Sequence, residues 1–234
     1  MKKIAIILCI LTAFVANSQN NSGTSTLNGG FRINTKTMKA HPFLLNEWVI
    51  GQLVDYNGKL SERKLLNYDL VNNNPTYKTS KDQKDIMTID SSPYSGFVLV
   101  DKNQKKYLFS KIDGSAFKKT KKETKFYQLI NAPSKKIILE SRKKLKDPNA
   151  SGWYSSSGGN NTSRSTEAAT YNLLKTLYVL NKAGEYVKVK LSASSVAKAL
   201  KSKKKEIRRY IKQNNIKIKK AEDLIPVVEY YYSL

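Results

Sequence analysis

Short apolar segments alternate with turn residues from residue 43 to residue 191, and this pattern most constrains the fold. Residues 48–56 lead into Asn57-Gly58, a pair that tolerates positive φ and predicts a type I′ hairpin. Further hairpins are predicted around 102–105 and within 171–191, the second with arms at 177–180 and 187–191 and its turn at 181–184. Other strands are predicted at 64–71, 76–78, 85–90, 96–101, 106–112, 126–130 and 137–139. This spacing predicts a mainly β fold, an antiparallel meander or barrel-like sheet.

After residue 192 the apolar period changes from two to 3.6, which indicates helix. A cap at Ser194 or Ser195 predicts a helix that runs to about Asn214, with an apolar stripe of Val196, Leu200, Ile207, Tyr210 and Ile211. A second helix is predicted at 224–232, with Asp223 as its N-cap. The expected fold class is therefore α+β: a β-rich domain at 43–191 closed by a C-terminal helical pair at 192–234.

The N-terminus has the features of a secretory signal. Two lysines precede an apolar run at 4–15, and Ala16-Asn17-Ser18 supplies small residues before a cut. We expect residues 1–18 to be a signal peptide, 19–42 a flexible N-terminus, and 148–166 a flexible loop rich in Ser, Gly and Asn. The expected location is the periplasm or cell envelope. The one cysteine, Cys9, lies in the signal and excludes a disulfide scaffold or a Cys-based metal site.

The chain is strongly basic, with 42 Lys or Arg, 18 Asp or Glu, and a formal charge of +24. The excess is concentrated at 111–146 and 198–220. Within the predicted helix, basic residues at spacings of 4, 3 and 4 form one face, widened by two neighbours, which predicts a surface for anions or acidic partners. A solvated helix face explains the same pattern. The predicted binding residues are Lys201, Lys205, Arg208 and Lys212, with Lys198 and Arg209 beside them.

Other functions have weaker support in the sequence. Basic residues next to aromatics, as in Lys125-Phe126-Tyr127, suit single-stranded nucleic acid, but export argues against that partner. No phosphate-binding or dinucleotide glycine pattern occurs, so no cofactor is expected. His41 is the single imidazole. The sequence assigns no catalytic or metal-ligating residue, and the closest-spaced carboxylates of the sheet region are Glu47, Asp55, Glu62 and Asp69.

Two parts of the chain resemble a group of uncharacterised secreted proteins of the Bacteroidota. The first comprises 48–58, from Trp48 to Gly58, followed by Leu66-Asn67-Tyr68-Asp69-Leu70. The second is the Lys-rich tail at 203–214 and 217–232, which ends in Tyr230-Tyr231-Tyr232. The resemblance implies export and a β-sheet domain with a helical tail, and it implies no catalytic residues. The tail is unlike the β-rich sorting domain of that phylum, which favours periplasmic residence over release.

Three functional hypotheses follow. The leading one is a non-enzymatic, envelope-associated binding protein that docks through basic surfaces on an anionic envelope component or an acidic protein, including peripheral association with a membrane. The alternative is a subunit of a larger envelope complex that docks through an apolar face. The third is an enzyme on cell-wall or surface polysaccharide, which requires two carboxylates across one cleft.

Overall fold

The computed structural model describes residues 41–119, 123–146 and 170–234. The predicted signal peptide and the predicted loop at 148–166 lie outside these ranges, as does most of the predicted flexible N-terminus. In the described part of the chain no helix is both long and apolar enough to cross a membrane.

The mainly β architecture predicted from the sequence is confirmed. The strands form one open antiparallel sheet in the order β10-β9-β8-β7-β6-β5-β1-β2-β3-β4, so β5 to β10 are a simple meander and β1 adds the first four strands. The strand bounds are β1 Val49–Asp55, β2 Lys64–Asp69, β3 Asn74–Lys78, β4 Met87–Thr88, β5 Tyr94–Val100, β6 Lys106–Ile112, β7 Lys125–Leu129, β8 Ile137–Lys146, β9 Thr170–Leu180 and β10 Tyr186–Val189.

Three tight turns share one design. In each, the side-chain oxygen of the first residue accepts a hydrogen bond from the backbone N–H four residues on, and the fourth residue has positive φ. The first residues are Asp55, Asp101 and Asn181, and the fourth are Gly58 (φ 83°), Gln104 (φ 61°) and Gly184 (φ 78°). The predicted type I′ turn is wrong because Asn57 does not adopt positive φ: the loop has three residues and ends in the left-handed region.

One face of the sheet carries two separate apolar cores. In the first, Phe97 and Phe109 stack with their centroids 4.4 Å apart, and the segment at 43–45 lies over this region. In the second, Leu177 and Val189 pack against the C-terminal helices. Cross-strand pairing places both cores on the same face, because Phe109 neighbours Gln128, then Leu139, Leu177 and Val189 in order across five strands.

The opposite face has a smaller aromatic core. Phe117 comes from the loop after β6, which contains a 3-10 turn at Gly114–Ala116, and it packs on side chains of β7, β9 and β10. Their ring centroids lie 5.0–5.2 Å from that of Phe117, and the partners are Tyr127, Tyr178 and Tyr186. This packing places Lys118 beside β10, where its backbone N–H bonds to the carbonyl of Tyr186.

The predicted continuous helix at 194–214 is wrong. The structure has α1 Ala193–Ala199, a 3-10 turn at Lys201–Lys203 and α2 Lys204–Gln213. Leu200 interrupts the helix with a ψ of 47°, and the cap is Ser192, whose hydroxyl accepts from the N–H of Ser195. Five lysines lie between 198 and 205 before the first acid, Glu206, and their repulsion disfavours one continuous helix.

The last helix, α3 Ile225–Ser233, contains Pro226 in its first turn, as the sequence predicts. Asp223 is not its cap. Its carboxylate accepts from the backbone N–H groups of Lys219 and Lys220 and so holds the 3-10 turn at Ala221–Leu224 that precedes the helix. These backbone hydrogen bonds stabilise the ionised carboxylate and so lower the pKa of Asp223.

Candidate functional site

The six basic residues predicted to bind a partner are all exposed, but they form two groups. Four of them lie on α2, opposite the buried Ile207 and Ile211. The helix is anchored to α3 by a stack of Tyr210 on Tyr230, with centroids 4.0 Å apart. The four form one face of the helix because their spacing keeps them within about 100° of arc, and they are Lys205, Arg208, Arg209 and Lys212.

None of these four cations forms an ion pair within the described residues. Glu206, the acid nearest in sequence, points to Lys203 instead, with Nζ and Oε1 3.9 Å apart. The α2 face therefore presents uncompensated positive charge to solvent. The sequence placed Lys205, Arg208 and Lys212 on one helical face, as the structure does, but it also placed Lys201 on that face, and Lys201 lies in the 3-10 turn before α2.

The other two predicted residues, Lys198 and Lys201, join a different cluster. The break at Leu200 turns them toward Lys118. The neighbouring Lys201 ammonium, and to a smaller extent Lys198, lower the pKa of Lys118, whereas the charge of Glu185 raises it. A small cavity of about 280 Å³ lies here, lined also by Lys182 and Ser202. The sequence missed Lys118 because only the pairing of the Phe117 loop with β10 brings it to the helices. It missed Lys182 because the turn between β9 and β10 meets α3 through a bond from the Lys182 N–H to the hydroxyl of Tyr231.

Of the four closest-spaced carboxylates of the sheet region, Asp55 and Glu62 line a common small cavity of about 140 Å³, and each of the four is engaged locally. Asp55 and Asp69 cap turns at opposite ends of the β1–β2 pair, roughly nine strand residues or about 30 Å of extended chain apart. Glu47 lies 3.9 Å from the ammonium of Lys102, and Glu62 lies 3.7 Å from that of Lys64. A retaining or inverting glycosidase places its two carboxyl groups within about 5–10 Å.

His41 has a structural setting. Its Nδ1 accepts from the backbone N–H of Phe43, so Nε2 carries the proton that is donated to Asn46 Oδ1 at 3.2 Å. Burial and the nearby Lys143 ammonium lower the pKa of His41, and the bond to Asn46 opposes them. Lys143 itself donates to the carbonyls of His41 and Phe43, at 2.9 and 2.7 Å. The imidazole therefore belongs to a clamp on the N-terminal segment.

A buried carboxylate lies on the aromatic face. Glu140 accepts a hydrogen bond of 2.9 Å from the hydroxyl of Tyr178 and lies 3.5 Å from Nε of Arg142. Burial, followed by the charge of Glu140, raises the pKa of both Tyr178 and Tyr127. In the described residues no group of three or more His, Cys, Asp or Glu is placed to hold a metal ion.

Two larger grooves open on the sheet. One, of about 690 Å³, lies on the face with the two cores, between Leu44 and Leu45 on one side and the 3-10 turn before α3 on the other. The second, of about 740 Å³, lies on the opposite face around Ile50, Leu65 and Val100, where Ile50 is 48% exposed. Both are rimmed by lysines.

No match was found in comparisons with protein-family models, with curated proteins or with solved structures.

Proposed function

We propose that the chain is an exported, non-enzymatic protein of the cell envelope that docks on an anionic partner through its basic C-terminal surface. Its docking face is the four cations of α2, with the cluster around Lys118 and Lys201 beside it. The observation that carries the proposal is that the α2 cations are exposed and form no ion pair with any described residue.

The surrounding charge supports the same conclusion. Residues 192–234 contain eleven Lys or Arg against four Asp or Glu, and two of the acids are held locally, Glu206 by Lys203 and Asp223 by backbone N–H groups. Each uncompensated cation costs stability through repulsion, so a bound anion that relieves the repulsion is stabilised. Such binding depends strongly on salt, since the Debye length falls from about 30 Å at 0.01 M to about 3 Å at 1 M.

The test uses the mature chain with two defined anionic partners: vesicles that contain phosphatidylglycerol, and soluble polyglutamate. We expect binding to at least one at low salt, loss of binding near 1 M salt, and about a tenfold or greater loss in the triple variant Lys205→Glu, Arg208→Glu, Lys212→Glu. The matched control reverses three exposed lysines far along the chain, Lys59, Lys84 and Lys135. Equal losses in both triple variants, or binding indifferent to salt, overturn the proposal.

A second candidate is a subunit of an envelope complex that docks through an apolar face. The exposed Ile50, between Leu65 and Val100, favours it, because these side chains are cross-strand neighbours and form one apolar strip along the 740 Å³ groove. Association with a native envelope complex that survives high salt and is lost in Ile50→Lys supports this candidate over the electrostatic one.

A further inference from the structure

The sheet face with two cores has an uncovered region between them. The segment at 43–45 covers the first core and the helices cover the second, and neither covers the middle strands. The 690 Å³ groove occupies this interval. Its lining includes Tyr107 of β6, Gln128 of β7, Leu139 of β8 and Leu173 of β9, and it ends at Leu177 and Val189, which are buried beneath the helices. The volume lies within the range of about 300–1,000 Å³ that is typical of small-molecule sites.

Cations surround this apolar floor. Lys105 stands at one end, with its ammonium 5.1 Å from the ring centroid of Tyr107, and Lys175 rises from β9. Lys219 and Lys220 lie on the helical side, and Glu222 is the one acidic residue that lines the groove among the described residues. None of these four lysines forms an ion pair within the described ranges. The groove thus combines a largely apolar base with an excess of positive charge at its margin, which Glu222 and the interaction of Asp223 with Lys219 and Lys220 offset in part.

We propose that this groove binds an anionic amphiphile: a molecule with a single acyl chain and a carboxylate or phosphate head group. The acyl chain lies on the floor between Leu45 and Val189, and the head group contacts the marginal lysines. This site is separate from the α2 docking face of the proposed function, and it does not depend on that face.

The structure favours this occupant over a peptide strand or the chain's own N-terminus. The groove lies on a sheet face, so a peptide backbone finds few partners there. The sheet edges are also poor templates, because β4 has two residues and β10 already bonds through Tyr186 to Lys118. Residues 1–40 carry five Lys or Arg and no acid, so their charge repels the lysine margin.

The experiment is a titration of the purified mature chain with a fluorescent fatty acid, followed by displacement. Dodecanoate is the test competitor, dodecyl maltoside has a similar chain without the charge, and butanoate has the charge without the long chain. We expect dodecanoate to compete at least about tenfold better than either. A dodecyl phosphate ester then distinguishes a phosphate head from a carboxylate head.

Two neighbouring leucines of β9 give a matched pair of variants. Leu173 lines the groove and Leu174 points to the opposite face, and both are about half exposed, at 48% and 46%. Leu173→Asp is expected to weaken dodecanoate binding by about tenfold or more, because it places a carboxylate beside the acyl chain, whereas Leu174→Asp leaves the affinity within about threefold. In the same way, Lys175→Glu is expected to weaken dodecanoate binding, and Lys84→Glu is its control.

Three results overturn the proposal: no displaceable binding of the fatty acid, equal competition by dodecyl maltoside, or equal losses in Leu173→Asp and Leu174→Asp. The circular dichroism spectrum and thermal midpoint of each variant show whether it is folded. The α2 triple reversal should leave the dodecanoate affinity unchanged, so this proposal and the proposed function fail independently.

Discussion

Replacing Lys143 by methionine should release the N-terminal segment from the sheet. The ammonium of Lys143 donates to the carbonyls of His41 and Phe43, and it lies where β8 extends past β7. The backbone N–H of the same residue bonds to the carbonyl of Leu70, at the end of β2. The substitution keeps this backbone bond and most of the aliphatic stem, so it removes the charged donor with little other change.

The expected loss of stability is about 2 kcal/mol. A hydrogen bond from a charged donor contributes about 1.5–3 kcal/mol, and two are lost. Partial exposure screens both bonds, and burial disfavours the ammonium, as its lowered pKa indicates, so the net effect is well below the sum. Methionine packs in place of the stem and recovers some apolar contact.

The measurement is urea denaturation at neutral pH, with Lys144→Met as the control. Lys144 is adjacent, exposed, and on the opposite face of the strand, and no hydrogen bond or ion pair of its side chain occurs within the described residues. Amide hydrogen exchange should also show reduced protection at Leu44 and Leu70, whose N–H groups bond to Tyr68 and Pro42. Losses that agree within about 0.5 kcal/mol in the two variants, with unchanged exchange, would refute the clamp.

Two further perturbations test the interior and the pH dependence. A Cβ at Gly96 would lie 2.4 Å from the backbone oxygen of Phe109, which cannot move aside. Gly96→Ala should therefore lower the free energy of unfolding by at least about 2 kcal/mol in the same urea assay. A loss under about 0.5 kcal/mol would contradict this close approach. Because the pKa of His41 is lowered in the folded state, the unfolded chain binds the proton first as the pH falls, and stability should decline below about pH 6.5 until the folded pKa is passed. The variant His41→Gln should lack this component, and parallel pH profiles of the two proteins would show the assignment to be wrong.

Much of the sheet could be predicted because local alternation determines it. The outer extensions of β8 and β9 could not be predicted. The sequence predicts strands only at 137–139 and 177–180, whereas β8 and β9 continue to Lys146 and back to Thr170. Both faces of these extensions are largely exposed, and lysine is interspersed with leucine, so no alternation of buried and polar residues marks them. Cross-strand pairing stabilises them, together with the bonds of Lys143 to the N-terminal segment and to Leu70.

The candidate sites also differ in how far the sequence predicts them. The α2 face was accessible to sequence reasoning because one helix positions all four cations. The lysine cluster at Lys118 and the 690 Å³ groove were not, because the residues that line them come from distant strands, the N-terminal segment and the tail. One partial signal existed: in β10 and just after it, Val187, Val189 and Leu191 alternate with Lys188 and Lys190, which indicates one apolar and one basic face. Nothing in that pattern shows that part of the apolar face stays uncovered.

The turn that begins at Asn181 determines which side of the last hairpin is cationic. Its side chain fixes a three-residue loop by bonding to the N–H of Glu185, and Gly184 supplies the left-handed residue. Side chains alternate with a period of two, so a slip of one residue would move Lys188 and the buried Tyr186 to the helix side, and Val187 and Val189 to the side of the Phe117 core. Loss of this small turn would therefore invert the surface chemistry of an entire strand and deprive α1 of its apolar support, although no residue of the turn lies in the helical core.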